Sequence, residues 1–175
     1  RFWNSGIMIE NKVYTMESSP DYIGEHKILE DIIIPGCSDD RYYQDDCLDK
    51  WDEMKGAKKI LRTDKKTGHQ YLYSEGGIPN PDPLDKPGRT MLTSEGTRNR
   101  SSHLIEDPIT KRKRILTPVE CERMNGFRDG WTEGMSERQR YFTMGNALVV
   151  DLIEKMGHTI LELDSKDCMI KPVDD

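Results

Sequence analysis

Three neighbouring side chains, Arg98, Asn99 and Arg100, have the chemistry needed to read the edges of nucleic acid bases. A guanidinium can grip guanine O6 and N7 with two parallel donors, and an asparagine amide can do the same for adenine; each such pair discriminates by ~1–3 kcal/mol. The three lie in a polar stretch, Ser94 to Ser102, whose Gly96 and small residues Ser94, Thr97 and Ser101 would let the backbone approach a groove. The same residues also describe an ordinary exposed loop whose arginines meet only water. Just upstream, Arg89 and Thr90 suit either a phosphate contact or the holding of a strand, with an ion pair from Arg89 to an acid such as Asp85 an equal reading. Lys55, Lys58, Lys59 and Arg62 could neutralise phosphates, which positions a protein without specifying sequence, or could form a solvated face.

The elements that must position these side chains change character along the chain. Residues 1–16 read as strand, turn at Glu10-Asn11, strand. Residues 17–24 read as loop, broken by Ser18, Ser19, Pro20 and Gly24, and His26 to Ile34 as a short apolar segment. Asp39 to Lys55 is expected to be partly helical, with Asp45 or Asp46 capping a helix that carries Leu48, Trp51 and Met54. Gly68 should close a hairpin between Leu61-Arg62 and Tyr71–Tyr73. Prolines and glycines crowd residues 75–88 and exclude a helix or central strand there. Arg89–Thr93, His103–Ile105 and the basic run ending at Leu116 read as strands. Thr117-Pro118-Val119-Glu120 is a helix start with a Thr N-cap, Pro at the first helical position and a reciprocal Glu, and Gly126 should end that helix. Ser136-Glu137-Arg138-Gln139 repeats the capping logic. A last helix is expected from Asn146, with Leu148, Leu152, Ile153, Met156 and Ile160 at helical spacing. At its start Asn146 and Ala147 would offer free N–H groups to a carboxylate, a role compatible with plain capping by Asn146. Strands first and helices later make an α+β pattern.

Composition narrows the classes. The 175 residues have a formal net charge of −6 and a mean hydropathy of −0.80, polar for a globular chain but too rich in recurring Trp, Tyr, Ile and Leu for disorder. No run of about 18 apolar residues is present, which excludes a membrane-spanning helix. Four widely spaced cysteines (Cys37, Cys47, Cys121, Cys168) form no CxxC pair, so no zinc site and no disulfide framework are expected, and a cytoplasmic location fits. Overall acidity argues against nucleic acid, but charge is unevenly placed. Lys86 to Arg114 holds eight Lys/Arg against three acids, and Lys55 to Lys66 holds six against one. A local field decides what a face can meet. The opening Arg1-Phe2-Trp3-Asn4 shows no signal pattern and suggests a fragment, a processed product or a subunit.

Arg114-Ile115-Leu116-Thr117-Pro118-Val119-Glu120-Cys121-Glu122-Arg123-Met124-Asn125-Gly126-Phe127 resembles the ninth motif of DNA (cytosine-5) methyltransferases, R-x-L-T-P-x-E-x-x-R-L-Q-G-F, with Met124 and Asn125 in place of Leu-Gln. About twenty residues later, Met144-Gly145-Asn146-Ala147-Leu148 looks like the tenth motif. Pro81 to Thr90 is similar to the approach to the recognition strand, and Arg1-Phe2-Trp3 to the end of the eighth motif. Residues 17–70 match only loosely.

The resemblance implies a strand-rich target-recognition domain followed by short helices that return to a Rossmann-like methyltransferase domain not contained in this sequence. Residues 1–16 would be the end of the catalytic-core strands, 17–116 the recognition domain, 117–164 the helical segment and 165–175 a tail. Arg89, Thr90, Ser94, Arg98, Asn99 and Arg100 are the expected DNA-binding residues. Asn146 and Ala147 would line the S-adenosylmethionine site, and Arg114, Thr117, Pro118, Glu120, Arg123, Gly126, Phe127 and Gly145 are expected to be structural. No cysteine here lies between Pro and Gln, and no F-x-G-x-G loop is present. The catalytic residues are therefore expected on another domain or subunit carrying Pro-Cys-Gln, with double-stranded DNA as the other partner. A stand-alone DNA-binding module and a decayed enzyme are the competing readings.

Overall fold

Leu104 and Ile105 are adjacent apolar residues, and adjacent side chains in an extended strand point to opposite faces. In a computed structural model, which describes residues 3–19 and 24–167, this alternation organises the core. Strand β5 (Leu104–Glu106) pairs antiparallel with β6 (Lys113–Ile115), Leu104 opposite Ile115. Leu104 and Ile115 face a cluster with Tyr42, Cys47 and Trp51. Ile105 and Leu116 face the other way, into a cluster with Leu29, Ile32, Met91, Cys121, Tyr141 and Met144. The ribbon is thus covered on both faces, and the core runs without a break across residues 116 and 117.

Two further hairpins precede this ribbon in the chain. Strands β1 (Ser5–Ile9) and β2 (Lys12–Met16) pair antiparallel about Glu10 and Asn11, both at positive φ, the geometry of the tightest two-residue hairpin turns. Strands β3 (Lys58–Thr63) and β4 (Gln70–Glu75) pair likewise, with Gly68 in the left-handed region at φ 70°. Among the described residues each of these sheets has only its own two strands. The helices are α1 (Leu29–Ile32), α2 (Leu48–Lys55), α3 (Pro118–Met124), α4 (Glu137–Asn146) and α5 (Val150–Asp167). The molecule is a small mixed α/β structure of short antiparallel sheets and carboxy-terminal helices.

Both expected capping boxes form. The Thr117 hydroxyl accepts from Glu120 N, and the Ser136 hydroxyl from Gln139 N. Three expectations need correction. Asp45 and Asp46 lie in a short 3-10 turn before α2 and cap nothing; Cys47 holds the N-cap position without a side-chain bond. Arg89–Thr93 forms no strand, and Thr93 already lies in a turn; two of its N–H groups are taken by side chains instead of a neighbouring strand, Arg89 N donating to His103 Nε2 and Leu92 N to Glu95 Oε2. Asn146 does not begin the last helix. It ends α4, and α5 starts at Val150, whose N–H donates to Asn125 O at 2.9 Å.

Apolar side chains on β1, β2 and α5 face solvent, including Met8 at 68% and Leu161 at 67% exposure. No helix among the described residues is long and apolar enough to cross a membrane. Arg1, Phe2, Pro20 and Cys168, and with them the eighth-motif similarity at Arg1-Phe2, lie outside the described residues.

Candidate nucleic-acid interface

The Ser94–Ser102 loop is closed at its neck by a buried pair. Glu95, near its start, and His103, just past its end, are both fully buried, with Glu95 Oε1 2.8 Å from His103 Nδ1. Arg89 N donates to the other ring nitrogen at 3.0 Å. Nε2 is therefore the acceptor, which leaves the proton on Nδ1, facing the carboxylate. Inside the loop, Asn99 acts as a staple. Its Oδ1 accepts from Ser101 N at 2.9 Å and Ser102 N at 3.1 Å, and its Nδ2 donates to Ser94 O and Oγ. The Ser102 hydroxyl donates to Thr97 O at 2.7 Å. Gly96 is needed for packing rather than for approach to a groove, because a Cβ there would overlap the Tyr141 ring.

Asp82 is the hub below the loop. It accepts from Arg89 Nε at 2.6 Å, Lys55 Nζ at 3.1 Å and Leu104 N at 2.9 Å. Burial alone would raise its carboxyl, but the Arg89 bond, the Leu104 N–H and the Lys55 charge hold it below the ordinary carboxylate range. Lys55 is fully buried and also donates to Ser102 O at 2.8 Å; burial pushes its ammonium below the usual lysine value against the pull of Asp82. Lys55 is thus a structural lysine, not a phosphate contact, and the partner of Arg89 is Asp82, not Asp85. Arg89 reaches on to Ser101 O and Ser102 O.

Arg100 turns inward. Its guanidinium donates to Met54 O at 2.7 Å, to Gly56 O at 2.8 Å and to Gly76 O, and pairs with Glu75 at 3.4 Å. It clamps the loop to the end of α2 and the base of the β3–β4 hairpin, so Asn99 and Arg100 are both spent inside the chain. Arg98 is exposed and has no hydrogen bond or ion pair among the described residues, while Ser94 and Thr90, four and eight residues upstream, are also exposed. Four of the eight basic residues from Lys86 to Arg114, namely Arg89, Arg100, Arg112 and Arg114, are neutralised by internal ion pairs. Arg112 pairs with Asp40 and Asp45 and lies over the Tyr43 ring.

Arg114 is fully buried and joins three elements. It donates to Asp107 at 3.0 Å, to both Glu120 oxygens at 2.8 Å and to Ile34 O at 3.0 Å. Burial opposes its charge, yet the bonds to Glu120 and Asp107 raise its pKa overall. Burial likewise opposes the Asp107 carboxylate, but the Thr110 N–H and the Arg114 guanidinium lead a set of donors that holds it well below the usual range. Glu122 repeats the pattern: burial is outweighed by bonds from the Thr132 hydroxyl and Arg140. Arg123 pairs with Asp129 and donates to Ile32 O at 3.2 Å. Gly126, at φ 82°, ends α3, and Phe127 packs on the core and against Trp131 at 5.5 Å. Gly145 lies against the backbone of Leu92 and Thr93, where a Cβ would overlap main-chain atoms. Asn146 is exposed and donates to Phe142 O at 2.9 Å.

A family model described as C-5 cytosine-specific DNA methylase matches residues 7–162. The chain belongs to this family. It is 46% identical over 165 residues to Type II methyltransferase M.Sau3AI of Staphylococcus aureus, covering 94% of this chain and 39% of that protein. It is 28% identical over 139 residues to Type II methyltransferase M1.ScrFI of Lactococcus lactis subsp. cremoris, covering 79% of this chain and 31% of that protein. The chain therefore spans 31% to 39% of the length of these curated methyltransferases.

Sequence reasoning about this methylase-family chain missed the Asp82 hub and the Glu95–His103 neck. Asp82 stood inside a quoted motif, so its signal was present but was passed to Asp85. Glu95 and His103 lie eight residues apart around a loop, and nothing local marks them as partners.

Proposed function

We propose that this chain is the DNA-recognition portion of a DNA (cytosine-5) methyltransferase. In the assembled enzyme a methyl group would pass from S-adenosylmethionine to C5 of a flipped cytosine within a specific duplex sequence, and the catalytic Cys would come from a portion carrying Pro-Cys-Gln. The observation that carries this reading is the stapled Ser94–Ser102 loop. The side chains of Glu95, Thr97, Asn99, Arg100 and Ser102 bond back into the chain, while Arg98, the one free guanidinium of the loop among the described residues, is exposed. A pre-set loop with a free arginine suits bidentate reading of guanine.

The exposed apolar residues of β1, β2 and α5 fit the contact with the catalytic portion, since apolar patches of this extent are rarely left to water. Asn146 and Ala147 fit one wall of the cofactor site. Asn146 is exposed, and its amide oxygen has no partner among the described residues. When bound, S-adenosylmethionine supplies the methyl group; Asn146, through its unpartnered amide oxygen, and Ala147 beside it would line the site without help from a helix start.

The test is methyl incorporation into duplex DNA by this chain joined to a catalytic portion that carries Pro-Cys-Gln. Incorporation confined to one sequence is expected. Sequence-specific binding with no incorporation by any such assembly would favour a stand-alone DNA-binding module.

A further inference from the structure

The β3–β4 hairpin leaves the molecule at the point where Arg100 gathers the carbonyls of Met54, Gly56 and Gly76. Directly paired residues share a face of such a ribbon. One face is occupied by its own contacts: Arg62 lies over the Tyr73 ring at 3.5 Å, and the Tyr73 hydroxyl bonds to Glu75, which pairs with Arg100. The opposite face sets Lys59 across from Ser74, Leu61 across from Leu72 and Thr63 across from Gln70. All six side chains are exposed, and none of the polar ones has a side-chain hydrogen bond or ion pair among the described residues. The tip adds Lys65 and Lys66, whose ammonium groups are also free of ion pairs among those residues.

We propose that this face enters the major groove as a second base-reading surface beside the Ser94–Ser102 loop. The inference rests on the DNA-recognition reading above and names a further element that performs it. Charge selects the occupant. The hairpin carries five Lys/Arg against Asp64 and Glu75 on a chain of net charge −6, and these lysines, unlike the arginines at 89, 100, 112 and 114, are not neutralised internally. A two-stranded ribbon fits the major groove, about 12 Å wide, and strands of this length reach roughly 20 Å along it. Gln70 presents the amide that suits adenine, Leu61 and Leu72 present apolar surface to thymine methyl groups, and Lys65 and Lys66 meet phosphates.

The test uses the assembled methyltransferase, with Gln70→Ala and the double variant Lys65→Ala/Lys66→Ala. All three side chains are exposed, so the fold is not at stake. The double variant should flatten the dependence of log affinity on log salt by roughly 2, about 0.9 for each lost phosphate contact. Gln70→Ala should reduce discrimination at one base position about fivefold or more, the lower end of a bidentate contact. Unchanged salt dependence and unchanged site preference, with a wild-type enzyme that recognises its site, would overturn the inference and leave the wider reading standing. Weakened assembly with the catalytic portion but normal DNA binding would overturn it too, by assigning the face to protein. A wild-type enzyme that recognises no duplex would overturn the wider reading itself.

Discussion

Arg98 and Arg100 stand two residues apart and meet opposite fates. Three main-chain carbonyls converge on Arg100 and use most of its donors. Arg98 has no such partner. Free donors are what base reading requires, so discrimination should track Arg98. Arg98→Ala is expected to lower the preference of the assembled enzyme for its site over single-base variants by about tenfold or more, measured as the ratio of methylation rates on the two duplexes. An unaltered ratio would remove Arg98 from the reading surface. The sequence showed that arginines and an asparagine cluster here. It did not show which of them face inward, because carbonyls supplied by residues 54, 56 and 76 are brought to Arg100 only by the tertiary fold. The same limit hid the burial of Lys55: on sequence it is one more member of a basic run, and only the fold sets it over Asp82.

Among the elements, capping boxes and turns were read well, the Asp45–Asp46 cap was not, and long-range signals were read poorly. The capping boxes at Thr117 and Ser136 formed as expected because each is complete within four residues. The turns at Glu10-Asn11 and Gly68 are local in the same sense. Asn146 was misplaced because the break after α4 depends on distant residues: Gly145 must fit against the Leu92–Thr93 backbone, and Val150 N finds Asn125 O. The join of α3 to the β5–β6 ribbon is another long-range feature. Arg114 on β6 and Glu120 on α3 share two hydrogen bonds in a site without water-exposed side-chain surface. Removing one partner of such a pair leaves a buried charge unmatched and costs ~3–5 kcal/mol. Arg114→Met should therefore lower the urea midpoint of unfolding substantially, and a midpoint equal to wild type would show that the pair contributes nothing net.

At the scale of the whole molecule, three buried or nearly buried carboxylates, Asp82, Asp107 and Glu122, are all held below their ordinary values. The unfolded chain would take up protons at these groups at higher pH than the folded chain does. Their contribution to stability is thus fully present above about pH 4 to 5 and is lost as pH falls through the folded values. Thermal unfolding should shift downward as pH drops below about 4, and a melting temperature constant from pH 6 to 3 would contradict the assignment. The neck of the Ser94–Ser102 loop has a different bearing. Glu95, His103 and the Asn99 staple anchor it from within, independently of the side chain at position 98. A mount of this kind tolerates exchange of what it displays. Under the proposed DNA-reading role, a new sequence preference would need only single substitutions at the outward positions, with the scaffold left as it is.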